Sequence, residues 1–193
     1  MVRDTVTRLP YNGFDKEVVM ERRSWVVLAF LLLGIGSRLV PHPWNATPVM
    51  AIALFGGTHL SRRWAILLPL SIVVLSDIIL GWHNTIPFTW SAFVFTGMIA
   101  WWVRRRPTGG RILTAALGGS VLFFALTNFG VWLVGDLYPR TAAGLRECYV
   151  AAVPFFRSAL LGDLVFTAVL FGGYALWLRC TSSFSDSRPV SSS

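Results

Sequence analysis

Long apolar runs alternate with short polar or basic stretches along the whole chain. Six such runs, over residues 25–40, 47–61, 64–81, 88–103, 112–135 and 155–178, carry almost no charge. None shows the strict alternation of a half-buried strand. Uninterrupted apolarity over about 17–25 residues is what a hydrocarbon core about 30 Å thick demands of a spanning helix. The pattern therefore predicts an all-α protein: a polytopic membrane helix bundle of about six transmembrane helices. The second run is short for a span, and Pro41, Pro43 and Pro48 crowd its entrance. Proline lacks the amide that a helix interior needs, so this segment is expected to be tilted, broken or partly re-entrant.

Charge sets the orientation. Sixteen arginines and one lysine stand against nine acids, a net charge of +8. With six helices, Arg3, Arg8, Lys16, Arg22, Arg23, Arg62, Arg63, Arg104, Arg105, Arg106, Arg111, Arg179 and Arg188 fall on one side of the membrane. Only Arg38, Arg140, Arg146 and Arg157 fall on the other. This asymmetry predicts that both termini are cytoplasmic. It also makes the basic charge a topology signal and not a phosphate-binding face, so no nucleic-acid partner is expected; the lipid bilayer is. A composition of 54% hydrophobic and 13% charged residues, with nine tryptophans, excludes an ordinary soluble enzyme. Residues 1–23 read as a retained cytoplasmic segment, 24–179 as the transmembrane domain and 180–193, rich in serine, as a disordered cytoplasmic tail. The protein is expected in the bacterial inner membrane.

Within the bilayer, polar groups remain only at a cost, which makes them candidates for function. Asp77 lies near the outer end of the third run, Asp163 about 12 Å down the sixth at about 1.5 Å per residue, and Thr127 and Asn128 in the outer half of the fifth. Ser120, Phe124 and Thr127 share one face of the fifth helix, and Asp163 and Thr167 stand one turn apart on the sixth. The outer loops add Arg38, His42, Trp44 and Asn45, then Trp82 and His83, then Tyr138 and Arg140 in a long stretch over 136–154 that reads as a lid. Asp163, Asn128 and Asp77 are thus the expected polar ligand contacts, with Arg38, His42, His83, Tyr138 and Arg140 as rim contacts.

Each has a plainer reading. Asp77 is equally able to lock to Arg38 or Arg157, Asn128 to join two helices, and the tryptophans to form interfacial belts. His42, His83, Asp77 and Cys148 have no local ligand spacing, so no metal site is expected. Cys148 and Cys180 lie at opposite ends of the bundle and cannot pair. No G-x-x-x-x-G-K-[ST], H-E-x-x-H or G-x-S-x-G motif occurs, and Gly34-Ile35-Gly36 has no strand before it, so neither a nucleotide nor any other cofactor is expected. The glycine pairs at 56–57, 118–119 and 172–173 read as sites of close helix packing.

The stretch from Arg38 through Pro41-His42-Pro43-Trp44-Asn45 to Ala53-Leu54-Phe55-Gly56-Gly57 belongs to a larger set. It continues in Ser76-Asp77-Ile78-Ile79-Leu80-Gly81, Thr127-Asn128-Phe129-Gly130-Val131-Trp132, Leu137-Tyr138-Pro139 and Pro154-Phe155-Phe156. Together these resemble a family of uncharacterised bacterial integral membrane proteins. Size, helix number and termini are also similar to the substrate-binding S components of energy-coupling-factor vitamin transporters. That likeness implies a ligand beneath the outer loops and a separate ATP-driven coupling module as partner. Ala29 is followed four residues on by Leu33, so the Ala-x-x-x-Ala spacing that S components present to that module is absent. The leading expectation is an uptake protein binding a small molecule or ion in its outer half. Two others are a membrane-embedded enzyme using aspartate and histidine as acid and base, and a non-catalytic assembly subunit.

Overall fold

The structure, a computed structural model, describes residues 13–40, 46–60 and 63–186, with side chains described over 24–40, 46–60 and 63–180. It contains six helices: α1 (Gly13–Leu39), α2 (Val49–His59), α3 (Trp64–Leu80), α4 (Ile86–Arg104), α5 (Gly109–Val134) and α6 (Ala142–Asp186). No strand occurs among the described residues. Three segments, Ile86–Arg104, Gly109–Val134 and Ala142–Cys180, are long and apolar enough to cross a membrane, and Ser24–Leu39, Val49–His59 and Trp64–Leu80 are shorter apolar helices.

Neighbour pairs give each helix its direction. Gly34 abuts Ile72 and Arg38 reaches Asp77, so α1 and α3 are parallel. Phe93 packs on Phe123 and Phe88 on Phe129, which makes α4 and α5 antiparallel. Ser120 meets Asp163 and Phe124 meets Phe156, so α6 returns along α5. The described ends of α1 and α6 accordingly emerge on one face of the bundle, as an even number of traverses requires.

The shortest helix occupies the centre. Every residue of α2 from Val49 to Thr58 is buried, which is the position expected of a helix that is apolar all round. Small residues permit it. A Cβ on Gly57 would stand 2.5 Å from the Cβ of Ala100 and 2.9 Å from that of Ala65, and one on Gly56 would stand 2.9 Å from Leu68. Side chains larger than hydrogen at these two positions would separate α2 from α3 and α4. Ile52, Leu68, Ile72, Val73 and Phe93 fill one side of this pillar, and Leu54, Ala100, Val103, Ala115 and Ala116 the other.

With 11 residues, α2 is about 16 Å long, half of a hydrocarbon core about 30 Å thick. It begins at mid-height: Met50 lies against Gly119, and Gly119 neighbours Thr96 at the middle of α4. It ends at the arginine-rich face, where Arg104 Nη1 donates to Leu60 O at 2.5 Å. The second segment, expected to be tilted, broken or partly re-entrant, is a half-length helix that starts at Pro48 without a side-chain cap.

Three expected helix boundaries change. The stretch over 136–154 is not a long loop. Residues 135–141 make the connection, and α6 begins at Ala142. Thr141 Oγ1 accepts from Gly144 N at 3.2 Å and Thr141 O from Leu145 N at 2.9 Å, a helix start that outweighs Pro154, which is carried inside α6. The lid reading is therefore corrected to a helix extension. At the other end α6 continues to Asp186, into the region read as a disordered tail. Likewise α1 begins at Gly13, within the segment assigned to residues 1–23.

Candidate functional site

Asp77 and Asp163 stand in two separate settings. Asp77, one turn from the end of α3, is 2% exposed. Its Oδ1 is 2.5 Å from Arg38 Nη2, and its Oδ2 accepts from the Trp90 indole N–H at 2.9 Å. One cation and one neutral donor occupy both oxygens, joining α1, α3 and α4 at one level. This is the lock to Arg38 that sequence offered as the plainer alternative. Arg38 retains an unused donor: its Nε is buried without a hydrogen-bond partner.

Asp163 differs. It projects from α6 into the bundle, buried at 9% exposure, and its Oδ2 accepts from Ser120 Oγ at 2.6 Å. The same serine hydroxyl lies 2.9 Å from Ala116 O, so one hydrogen serves two acceptors. Among the described residues no cation pairs with Asp163. One turn along α6, Thr167 is 5% exposed and its Oγ1 has no partner.

The N-terminus of α2 faces this layer. A Cβ on Gly162 would lie 2.5 Å from the Cβ of Ala46, and Phe55 packs on Phe171 at 5.2 Å. α2 and α6 thus run in the same direction, with Asp163 near the level of Pro48. The positive end of the α2 dipole is therefore directed toward the carboxyl layer, a favourable placement for an acid. Asp163 and Ser120 form a hydrogen-bonded oxygen pair near the level of the α2 N-terminus, and the buried Thr167 hydroxyl follows one turn further along the same face of α6. Such a group can accept hydrogen bonds from a ligand or coordinate a small cation.

The remaining expected contacts disperse. Asn128 Nδ2 donates to Phe124 O at 2.8 Å, within its own helix, and it is the backbone carbonyl of Asn128 that meets α6, accepting from Cys148 Sγ at 3.4 Å. Thr127 likewise bonds back to Phe123 O. His83 is exposed beside Gly81 O, Tyr138 is half-buried and Arg140 exposed. His42, with Trp44 and Asn45, lies outside the described residues. No hydrogen bond or ion pair among the described residues joins the Asp77 and Asp163 groups, and no cluster of three or more histidine, cysteine or acidic side chains forms there.

One polar group was not singled out from sequence. At the arginine-rich end His59 stacks on Phe55 at 4.4 Å and meets Tyr174 at 4.6 Å and Phe171 at 5.3 Å, with Nδ1 3.3 Å from Phe55 O. The signal was available: Phe55 and His59 are four residues apart, and Phe171 and Tyr174 three apart, so each pair shares a helix face. Nothing in the linear pattern brings those two faces together.

Fold and site together define a polytopic helical membrane protein with an acidic group enclosed in its bundle. The chain belongs to the family of unknown function DUF6580, which matches residues 19–184. No curated protein and no solved structure is significantly similar to it.

Proposed function

We propose that the chain is an uptake protein of the bacterial inner membrane that binds a small molecule or ion in its outer half, in the manner of the S components it resembles. The carrying observation is the unfinished coordination of the Asp163 group. An intramembrane carboxyl held by one shared hydroxyl, one helical turn from a buried threonine hydroxyl with no partner, leaves acceptors and donors that packing alone does not require. By contrast Asp77 is fully engaged and serves the frame. The half-helix α2 supports the same reading, because helices that stop at mid-membrane bring a dipole end to a site where ions and polar solutes are held. The arginine distribution supports a cytoplasmic location for both termini. A separate ATP-driven coupling module is the partner that the S-component likeness brings with it. An aspartate–histidine enzyme has less support, since both Asp77 oxygens are occupied and His83 is exposed beside a backbone carbonyl.

Native mass spectrometry on protein extracted directly from membranes into nanodiscs provides the test. Wild-type protein is expected to carry a stoichiometric small molecule or ion that Asp163→Asn and Thr167→Val both lose while keeping wild-type unfolding transitions. Identical adducts in wild type and both variants would overturn the assignment.

A further inference from the structure

Arg157 is an exposed cation on α6 with no carboxylate within ion-pair distance among the described residues. It stands at one end of a groove of about 370 Å³. Next to it is Ser158. Beyond them the groove continues between Ala46 and α6, over Leu161, Gly162, Val165 and Phe166. Gly162 forms the floor, since hydrogen there allows the Ala46 backbone to approach: a Cβ would meet the Ala46 Cβ at 2.5 Å. Leu161 and Val165 are 65% and 57% exposed, so the groove opens outward from the bundle.

Its dimensions follow from helix geometry. From Arg157 to Phe166 the helix rises about 14 Å at about 1.5 Å per residue, close to one leaflet of a hydrocarbon core about 30 Å thick. Along the same helix Arg157 and Arg179 are about 33 Å apart, a separation that sets them at opposite boundaries of that core. The groove therefore has the cation at a headgroup layer and an apolar channel one leaflet deep.

We propose that this groove binds an anionic phospholipid of the surrounding bilayer, its phosphate on the Arg157 guanidinium and one acyl chain along Gly162 and Val165. Guanidinium geometry suits a phosphate bidentately. The Ser158 hydroxyl stands beside it, bonded back to Pro154 O by a long 3.4 Å contact. The apolar lining requires a chain, which rules against a free inorganic anion as the occupant. This inference uses neither the Asp163 carboxyl nor the Thr167 hydroxyl and stands independently of the proposed function.

The experiment reconstitutes the protein in nanodiscs holding equal phosphatidylglycerol and phosphatidylcholine, ejects it from the disc in the mass spectrometer, and counts the lipids that remain bound. Wild type is expected to retain phosphatidylglycerol preferentially. Arg157→Gln is expected to lower that preference about fivefold, the scale of one basic residue at an anionic membrane. Val165→Trp, which fills the channel but keeps the charge, is expected to lower retention of both lipids. Equal retention of the two lipids by wild type, or unchanged preference in Arg157→Gln, overturns the proposal. So does retention of a fatty acid in place of the phospholipid.

Discussion

Two aspartates of the same type, each within a helix and each in the bundle, differ in what surrounds them. Asp77 is paired with Arg38 and bonded by Trp90. Its replacement by asparagine leaves a largely buried guanidinium without its counter-charge, the costly way to break such a pair, at about 3 kcal/mol or more. Asp77→Asn is therefore expected to lower the midpoint of unfolding in a denaturing-detergent titration and to alter Trp90 fluorescence. Arg38→Met with Asp77→Leu should recover much of the loss, because both charges then leave together. Asp163→Asn is expected to leave the midpoint nearly unchanged, since Ser120 can donate to the amide oxygen as it does to the carboxyl. Sequence reasoning placed both aspartates in the outer half and weighed Arg38 as a partner for Asp77. It could not separate the two roles, because Arg38 and Trp90 reach Asp77 from helices whose packing no local spacing encodes.

Helix by helix, close approach controls the architecture. A Cβ on Gly97 would lie 2.5 Å from Ala65 O, and one on Gly57 would lie 2.5 Å from the Ala100 Cβ, whereas Gly118 and Gly172 have nothing within 4 Å. Gly97→Leu and Gly57→Leu are expected to destabilise the bundle by about 1–3 kcal/mol or more, the cost of overpacking. Gly118→Ala and Gly172→Ala are expected to be neutral or slightly stabilising, by up to about 1 kcal/mol, as helix propensity dictates. The same detergent titration ranks all four. Gly57, Gly118 and Gly172 looked alike in sequence as packing residues, and Gly97 was not singled out; only their neighbours distinguish those at a helix contact from those on an open face. The connection before α6 teaches a similar lesson. Pro154 and the polar residues after Asp136 suggested a loop, but Thr141 starts a helix there. Tyr149 then ties the new turns to α5 through a 2.6 Å bond from its hydroxyl to Ala125 O.

Across the whole molecule the even number of traverses gives a testable topology. Cys180, exposed near the end of α6, and Cys148, buried near its start, are the two free thiols. A membrane-impermeant maleimide is expected to leave intact spheroplasts unlabelled and to modify Cys180 once the membrane is opened. Cys148 should stay unreactive until the bundle is unfolded. Labelling of Cys180 in intact cells would reverse the orientation drawn from the arginines.

The helix inventory, the membrane class and the even count were legible in the linear pattern, because the bilayer imposes one-dimensional rules: apolar length, flanking charge and proline position act segment by segment. The weakness of the second segment was legible for the same reason. Its place was not. That a short apolar helix stands at the centre, begins at mid-height beside Asp163 and is enclosed by α3, α4 and α6 depends on small residues far apart in the chain meeting face to face. The pairing of Arg38 with Asp77, the enclosure of His59 by Phe171 and Tyr174, and the groove below Arg157 are likewise contacts between segments far apart in the chain. Packing in three dimensions selects them from many combinations that the same apolar runs would allow.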